Sequence, residues 1–392
     1  MLRSPSVPSL LSASLIGRLP TGMAPLAILL TVRDNGGDYG VAGLLAALYA
    51  ASAAVFGPVS GRLVDRTRQA TVLLTTALVS SAAFVVLASV DPHAFVFSAG
   101  AALVAGAATP PLEPCLRVLW GEVVSGEQNL RAAFSLDAAT QELIFVCGPL
   151  IVLGATALTG PAAGLLVAGA VGLFGTVWFA TAPPARAWRG TDAERHWLGP
   201  LRGAGVPRLF AALVCVGATI GVFTVSITGY AEQHTGRGSA GWLIASNAAG
   251  ALLCGIAYTT APIARREDRR LLALLVLLAL GYLPLAATPD TGPMTLLAFL
   301  SGCALPATLA SAFALIARMA PEGTLTEAHA WMITSFGVGN AIGSALAGTL
   351  LELTTVRTAF VLAAVFGCAA AALAARRLLT DDAFAVIGLR NT

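Results

Sequence analysis

Lysine is absent from this sequence of 392 residues, so all 23 of its basic side chains are arginine. The absence excludes a Schiff base on lysine and a phosphate-binding loop that ends in lysine. Charged residues make up 11% of the chain and apolar residues 57%, whereas soluble domains carry about 25% charged residues. The chain cannot cover itself with a hydrated surface, and we predict an integral membrane protein without an ATP motor of its own.

Clustered metal ligands are also missing. The four histidines are scattered, and the six cysteines stand singly without a C-x-x-C pair: Cys115, Cys147, Cys215, Cys254, Cys303 and Cys368. Zinc sites and disulfide frameworks need clustered ligands, so we expect no metal, no cofactor and cysteines that pack as small apolar residues. The sequence also lacks the residue clusters typical of an enzyme, and we expect neither catalysis nor nucleic-acid binding.

Long apolar runs are what the chain does have. A membrane-spanning helix needs about 20 apolar residues, and twelve such runs occur, at 9–32, 39–60, 70–90, 94–119, 132–158, 161–182, 206–230, 240–262, 271–288, 293–317, 329–351 and 358–375. A polar segment separates the first six from the last six. The predicted parts are an N-terminal bundle at 1–183, a linker at 184–205, a C-terminal bundle at 206–376 and a tail at 377–392.

The two halves resemble each other in sequence. Gly106-Ala-Ala-Thr-Pro110 in the fourth run is echoed by Gly302-Cys-Ala-Leu-Pro306 in the tenth, and Ala-Gly opens both the second and the eighth. We therefore predict an all-α integral membrane fold whose 12 transmembrane helices form two pseudo-symmetric six-helix bundles.

Arginine is distributed unevenly between the two sides of the predicted membrane. The loops on one side hold only Arg33, Arg237 and Arg357. The other side holds Arg62, Arg66, Arg68, Arg131, Arg186, Arg189, Arg195, Arg202, Arg265, Arg266, Arg269, Arg270, Arg376 and Arg377. Because positive loops mark the cytoplasm, we predict a multi-pass protein of the cell inner membrane with both termini and the linker in the cytoplasm.

A charged segment, GPVSGRLVDRTRQ at 57–69, lies between the second and third runs. We expect it to form a loop, with Pro58 bending or breaking the end of the preceding helix. Gly57 and Gly61 are four residues apart, so a second backbone can approach closely there.

This segment resembles the signature loop between the second and third helices of the major facilitator superfamily of secondary transporters. The family pattern is Gly-x-Leu-(small)-Asp-Arg-x-Gly-Arg-(Arg/Lys), and Gly61, Leu63, Asp65 and Arg66 match it. Arg68 replaces the usual glycine, and Gln69 replaces a basic residue. The resemblance implies alternating access about a central substrate site.

By the same resemblance, Gly61, Asp65 and Arg66 form a gating loop. In the family, the aspartate and arginine bridge helices of the two halves on the cytoplasmic side and favour the outward-open state. The alternative is a segment that only sets the topology. Gly148-Pro149 in the fifth run matches the core of a glycine-rich stretch found in drug-antiporter branches of the family, although a kinked, packed helix explains it equally well.

Ionisable residues within apolar runs are costly and indicate function. Arg18 and Glu142 lie near the predicted midplane, and we expect Arg18 to pair with Glu142, Glu113 or both. A carboxylate that gains and loses an arginine partner changes its affinity for protons, so Arg18, Glu113, Arg117, Asp137 and Glu142 are candidates for proton coupling or substrate binding. A static ion pair that fixes helix packing is the alternative. Three prolines interrupt the fourth run near Glu113.

The second half has few polar groups within its runs. We expect Asn247, His329, Trp331 and Asn340 to include residues that face a central cavity, although His329 could equally be interfacial. Gly339 and Gly343 have the spacing of close helix packing.

The sequence favours a proton-coupled exporter of a small organic compound. Its expected partners are the substrate, protons and the lipid bilayer, and we expect a monomer. A metabolite uptake carrier and a non-transporting receptor or lipid-handling protein on the same scaffold remain as alternatives.

Overall fold

Helices make up the fold throughout the described part of the chain. The computed structural model describes residues 6–90, 94–190, 196–234, 238–260 and 266–388, and these ranges contain no strand. Arg195, Arg237 and Arg265, which contribute to the predicted orientation, lie outside them, as does the tail beyond 388.

Twelve segments of the described chain are long and apolar enough to cross a membrane. The all-α integral membrane fold with 12 transmembrane helices is therefore confirmed. In chain order, spans 1 to 12 are Ser6–Asp34, Tyr39–Arg66, Gln69–Ser89, Phe95–Val123, Glu127–Thr159, Ala163–Thr181, Val206–His234, Ala240–Tyr258, Glu267–Ala287, Thr291–Met319, Leu325–Leu353 and Val356–Ala375.

Some spans depart from a single regular helix. Span 4 consists of the helices Phe95–Ala107 and Leu112–Val123, and span 10 of Thr291–Gly302 and Leu305–Met319. Span 9 ends in a 3₁₀ turn at Leu283–Ala287. The helix of span 8 begins at Gly238, and that of span 12 continues to Gly388; the linker forms a short helix at Pro183–Ala187 and a 3₁₀ turn at Gly199–Arg202.

Both broken spans break at the repeated sequence that the two halves share. A Cβ on Gly106 would lie 2.1 Å from the Tyr49 carbonyl oxygen of span 2, and a Cβ on Gly302 would lie 2.1 Å from the Asn247 carbonyl oxygen of span 8. Both distances are far below van der Waals contact. Glycine is therefore required at the same helix crossing in each half, which explains why this sequence recurs.

The charged segment after span 2 differs from the prediction. Span 2 is helical through Pro58 as far as Arg66, and only Thr67 and Arg68 separate it from span 3. The predicted loop from 57 is wrong and the helix does not break at Pro58, so only a bend at Pro58 stays a prediction. A proline removes one backbone hydrogen bond, and membrane helices tolerate this loss.

The described residues divide into two compact units. The first comprises the described parts of Met1–Ser125, Thr140–Gly199 and Pro321–Trp331. The second comprises those of Gly126–Ala139, Pro200–Ala320 and Met332–Thr392. The start of span 11 thus belongs to the first unit and the start of span 5 to the second. The boundaries at 183 and 206 stay a prediction.

Spans 7 and 11 cross closely within the second unit. A Cβ on Gly339 would lie 1.9 Å from the Val214 carbonyl oxygen, and one on Gly343 would lie 2.1 Å from the Ala218 carbonyl oxygen. The expected close packing at this pair of glycines is confirmed. Gly337, on the same helix, has no neighbour within 4 Å of a Cβ.

We predict that Gly339→Ala lowers the free energy of unfolding by about 1–3 kcal/mol, because the added methyl group must push two backbones apart. Thermal unfolding of the purified protein in detergent measures the effect. Gly337→Ala is the matched control and should melt no lower than the wild type. Equal melting of the two variants would contradict the close crossing.

Candidate functional site

An ion cluster formed by Arg18, Glu113 and Arg117 lies inside the first unit, and we call it the Arg18 cluster. The Arg18 Nη2 atom lies 2.8 Å from Glu113 Oε2, and Arg117 holds the other carboxylate oxygen of Glu113. Arg18 is 6% exposed and Glu113 is 14% exposed. The expected pairing of Arg18 is confirmed for Glu113, and Glu113 also pairs with Arg117 within span 4.

The break in span 4 positions Glu113. Residues 108–111 are not helical, and Glu113 lies in the first turn of the helix that follows. The first turn presents unpaired backbone N–H groups and the positive end of the helix dipole, which favour a carboxylate there. The interruption expected from the prolines thus lies directly before this residue.

A small cavity adjoins the Arg18 cluster within the first unit. Its volume is about 20 Å³, enough for one water molecule. Its lining is mainly apolar and also includes the polar residues Arg18, Thr21, Tyr49, Ser80, Ser81 and Thr109. Arg18 therefore borders a small cavity in addition to pairing with Glu113.

Glu142 and Asp137, the other candidate carboxylates, lie on span 5. Glu142 is half-buried, and among the described residues it makes no hydrogen bond or ion pair. The alternative partner expected for Arg18 is therefore not used. Asp137 is fully buried.

A second cluster, which we call the Asp65 cluster, joins span 2 to the start of span 11 within the first unit. The carboxylate of Asp65 accepts hydrogen bonds from the backbone N–H groups of Thr326, at 3.0 Å, and Glu327, at 2.8 Å. Arg62 Nε donates to Glu327 Oε2 at 2.9 Å, and its Nη2 donates to the other oxygen. Asp65 thus caps the N-terminus of span 11, and Arg62 adds a bidentate ion pair beside the cap.

Gly61 and the linker complete the Asp65 cluster. A Cβ on Gly61 would lie 3.0 Å from the Thr326 carbonyl oxygen, so the expected close approach of a second backbone is confirmed. Gly199 adopts a φ of +51°, and its Cβ would lie 2.6 Å from the Glu327 carboxylate. Arg62 also donates to the Trp197 carbonyl oxygen at 3.0 Å. The linker therefore lies against the ion pair.

By the family signature we expect Arg66 to make the bridging contact, but in the structure Arg62 makes the ion pair. Arg66 is exposed and makes no ion pair within the described chain, whereas Arg62 contacts Glu327. Sequence reasoning did not single out Arg62 or Glu327. The available signals were the i, i+3 spacing of Arg62 and Asp65, which places them on one helix face, and an acidic residue in the first turn of span 11.

A third cluster, the Arg131 cluster, joins the start of span 5 to the start of span 9 within the second unit. Arg131 forms an ion pair with the buried Glu267, and its Nη2 atom lies 3.3 Å from Glu127 Oε1. Ser135 donates to the Gly255 carbonyl oxygen of span 8 at 2.7 Å. Span 5 is the equivalent of span 11 in the sequence repeat, so the two clusters hold the starts of equivalent spans. In both clusters the arginine comes from the first half of the chain.

The four cavity candidates occupy different environments. Asn247 donates to the Ala298 carbonyl oxygen and to Ser301 Oγ on span 10, at 3.1 and 2.9 Å. His329 is fully buried, and Trp331 Nε1 lies 3.4 Å from Glu327. Asn340 is half-buried, and its side chain makes no hydrogen bond to any described residue.

Chemically, these clusters hold charge through ion pairs and hydrogen bonds that join different helices. Over the residues that the structure describes, no group of three or more histidine, cysteine or carboxylate side chains could hold a metal ion. Ionisable groups within membrane spans are costly and mark candidate functional positions.

Comparison with known families gives a match over nearly the whole chain. A profile described as Major Facilitator Superfamily matches residues 10–294 and 209–386. No curated protein sequence matches the chain significantly.

Several solved structures share the fold. A bacterial homologue of the iron transporter ferroportin, in an outward-facing state, is 14% identical with a TM-score of 0.74, covering 94% of this chain and 98% of its own. The human organic anion transporter MFSD10 (TETRAN) is 14% identical with a TM-score of 0.70 and the same coverage. A variant of the E. coli fucose:proton symporter FucP is 13% identical with a TM-score of 0.72, covering 95% and 98%.

We predict that Glu113→Gln destabilises the protein by about 3–5 kcal/mol, because it leaves two buried guanidinium groups without their shared carboxylate. Thermal unfolding in detergent measures the loss. Glu122→Gln, an exposed position on the same helix, is the control and should melt like the wild type. Unchanged melting of Glu113→Gln would show that the Arg18 cluster contributes little to stability.

Proposed function

Since the chain belongs to the major facilitator superfamily, a superfamily of secondary transporters, we propose that it exports a small organic compound in exchange for protons. It is a multi-pass membrane protein with a small-molecule substrate, and it is a transporter rather than an enzyme. The observation that carries the proton-coupled mechanism is Glu142, a half-buried carboxylate within span 5 that has no partner among the described residues.

Glu142 is our candidate for the group that takes up and releases the proton. An ionised carboxylate without a partner is costly inside an apolar span. Protonation removes that cost, and exposure to water during the transport cycle restores the charge. Glu113 differs because two arginines already hold both of its oxygens.

Alternating access in this proposal is a rocking of 1–183 against 206–376 about a central site. The Asp65 cluster and the Arg131 cluster then act as two locks, since each holds the start of a long span that must be released when that side opens. Gly61 permits the close contact in the first lock, and Arg62 takes the ion-pairing role. Arg66 stays a candidate gating residue through its match to the family signature.

Orientation follows from the arginine-rich loops. We propose that the locks, the linker and both termini are cytoplasmic, in the inner membrane, and that the transporter works as a monomer. We also propose roles in proton coupling or substrate contact for Asp137, Arg117 and the cavity candidates Asn247, His329, Trp331 and Asn340.

The substrate class is inferred from the scarcity of polar groups in the second half. An amphipathic or hydrophobic organic compound suits such a surface better than a strongly hydrated one. The similar structures are named for an iron transporter, an organic anion transporter and a fucose:proton symporter. One fold therefore serves different cargoes, and the substrate must be found by experiment.

We predict that Glu142→Gln abolishes coupled transport, because glutamine cannot exchange a proton. Wild type and variant are reconstituted in sealed vesicles with a trapped pH-sensitive dye, and cationic, neutral and anionic compounds are added. Proton movement on adding a compound should occur with the wild type and be lost in Glu142→Gln. Glu122→Gln should retain it.

The other outcomes of this experiment are informative. Proton movement retained in Glu142→Gln would reject this residue and move the coupling site to Glu113 or Asp137. Solute movement without protons would indicate a uniporter. Proton-driven accumulation in the opposite direction would indicate an uptake carrier, and no movement of any solute would favour a non-transporting protein on this scaffold.

For the first lock, we predict that charge reversal at one partner is rescued by reversal at the other. Arg62→Glu places a carboxylate against Glu327 and should slow transport, while Arg62→Glu with Glu327→Arg should restore it. A double-mutant cycle on thermal unfolding should give an interaction energy of about 0.5–3 kcal/mol. The exposed Arg357→Glu is the control, and additive effects would contradict the pairing.

A further inference from the structure

Two of the six cysteines, Cys254 on span 8 and Cys303 on span 10, come together in the second unit. Each follows by four residues a member of the close contact between Gly250 and Phe299, so the two side chains lie at the same level of the crossing between spans 8 and 10. Both side chains are half-buried, and neither is in a disulfide. The sequence separates them by 49 positions (303 minus 254), so their meeting is a result of helix packing.

The register between spans 8 and 10 supports this juxtaposition independently. On the N-terminal side of the two thiols, the Asn247 side chain donates hydrogen bonds to the Ala298 carbonyl oxygen and to Ser301 Oγ. On their C-terminal side, a Cβ on Gly255 would lie 2.9 Å from the Cβ of Pro306. The residue numbers of these contacts rise together on both helices, so the two helices run parallel in this register. The register places Cys254 beside Cys303.

The thiol pair is not a requirement of the repeated fold. Gly106 and Tyr49 occupy in the first half the positions that Gly302 and Asn247 occupy in the second. The residue after Gly106 is alanine, and the residue seven positions after Tyr49 is Phe56. The same crossing therefore forms without thiols, and the pair adds a chemical property that packing alone does not need.

We propose that Cys254 and Cys303 form a dithiol site for a soft electrophile that bonds to two sulfurs, namely a trivalent organoarsenical or divalent mercury. Thiolate sulfur selects soft metals and metalloids, and two adjacent thiols chelate one such atom. The proposed site uses none of the charged side chains of the ion clusters and does not use Glu142, and it does not depend on the direction of transport.

The low-polarity surroundings favour a complex without net charge. With phenylarsine oxide, each thiol gives one As–S bond, and the two thiol protons leave with the oxide oxygen as water; arsenic stays trivalent. With Hg²⁺, two S–Hg bonds form and two protons are released. Both products are neutral. The Cys303 S–H, which donates weakly to the Phe299 carbonyl oxygen at 3.4 Å, loses only that bond.

The test uses full-length protein in which Cys115, Cys147, Cys215 and Cys368 are replaced by serine, so that only the pair remains. The purified protein is incubated with phenylarsine oxide and washed with an excess of a monothiol, and intact mass spectrometry counts the bound arsenic. We expect one phenylarsenic group per chain, retained through the monothiol wash and removed by a dithiol. A single As–S bond is exchanged by the monothiol, whereas a chelate is retained.

Single replacements provide the decisive comparison. Cys254→Ser or Cys303→Ser in this background should lower retention by about tenfold or more, because only one bond remains. A variant that keeps Cys254 and Cys368, whose thiols no contact joins within the described chain, should behave like the single replacements. Alanine variants serve where a serine variant does not purify as a monodisperse protein.

Two results would overturn the proposal. One is loss of arsenic from the pair variant in the monothiol wash, which would mean that the thiols do not chelate. The other is equal retention by the pair variant and by either single replacement. Repeating the titration with Hg²⁺ should give one metal ion per pair; a ratio of two would contradict chelation.

Discussion

An ionised group inside an apolar span must find its partner within the protein, and this constraint organises the polar interior of the molecule. The surrounding hydrocarbon can neither hydrate a charge nor satisfy a backbone group. Arg18 therefore meets Glu113 across two spans, and Asp65 meets the free N–H groups at the start of span 11. Glu142 departs from this pattern, and the departure makes it the candidate for proton exchange.

Duplication explains the arrangement of the Asp65 and Arg131 clusters. Each forms where a long span begins, against the turn between two spans of the other sequence half. Their chemistry is not identical, since Asp65 binds backbone N–H groups directly, whereas Glu267 binds the side chain of Arg131. Capping couples the Asp65 carboxylate to a helix end, while the Arg131 cluster depends on two side chains. The two clusters can therefore respond differently to substitution.

Close helix crossings form the second theme of the structure. Gly106 and Gly302 bring the broken spans 4 and 10 onto their neighbours, and Gly339 does the same for span 11. Without a hydrophobic drive between helices in lipid, close packing of this kind contributes much of their association. The same crossing that requires Gly302 also brings Cys303 beside Cys254, so a reactive pair arises directly from packing.

The sequence by itself determined the solvent, the number of spans, the duplication and the family, because apolar run length, the repeated Gly-x-x-x-Pro sequence and the Gly61–Arg66 signature are local features. It also restricted the partners of Arg18 to two carboxylates. Only the tertiary structure decided that Glu113 is the partner, that Arg62 pairs with Glu327, and that two cysteines meet. These contacts join residues far apart in the chain, and helix rotation and register, which no local pattern specifies, select them.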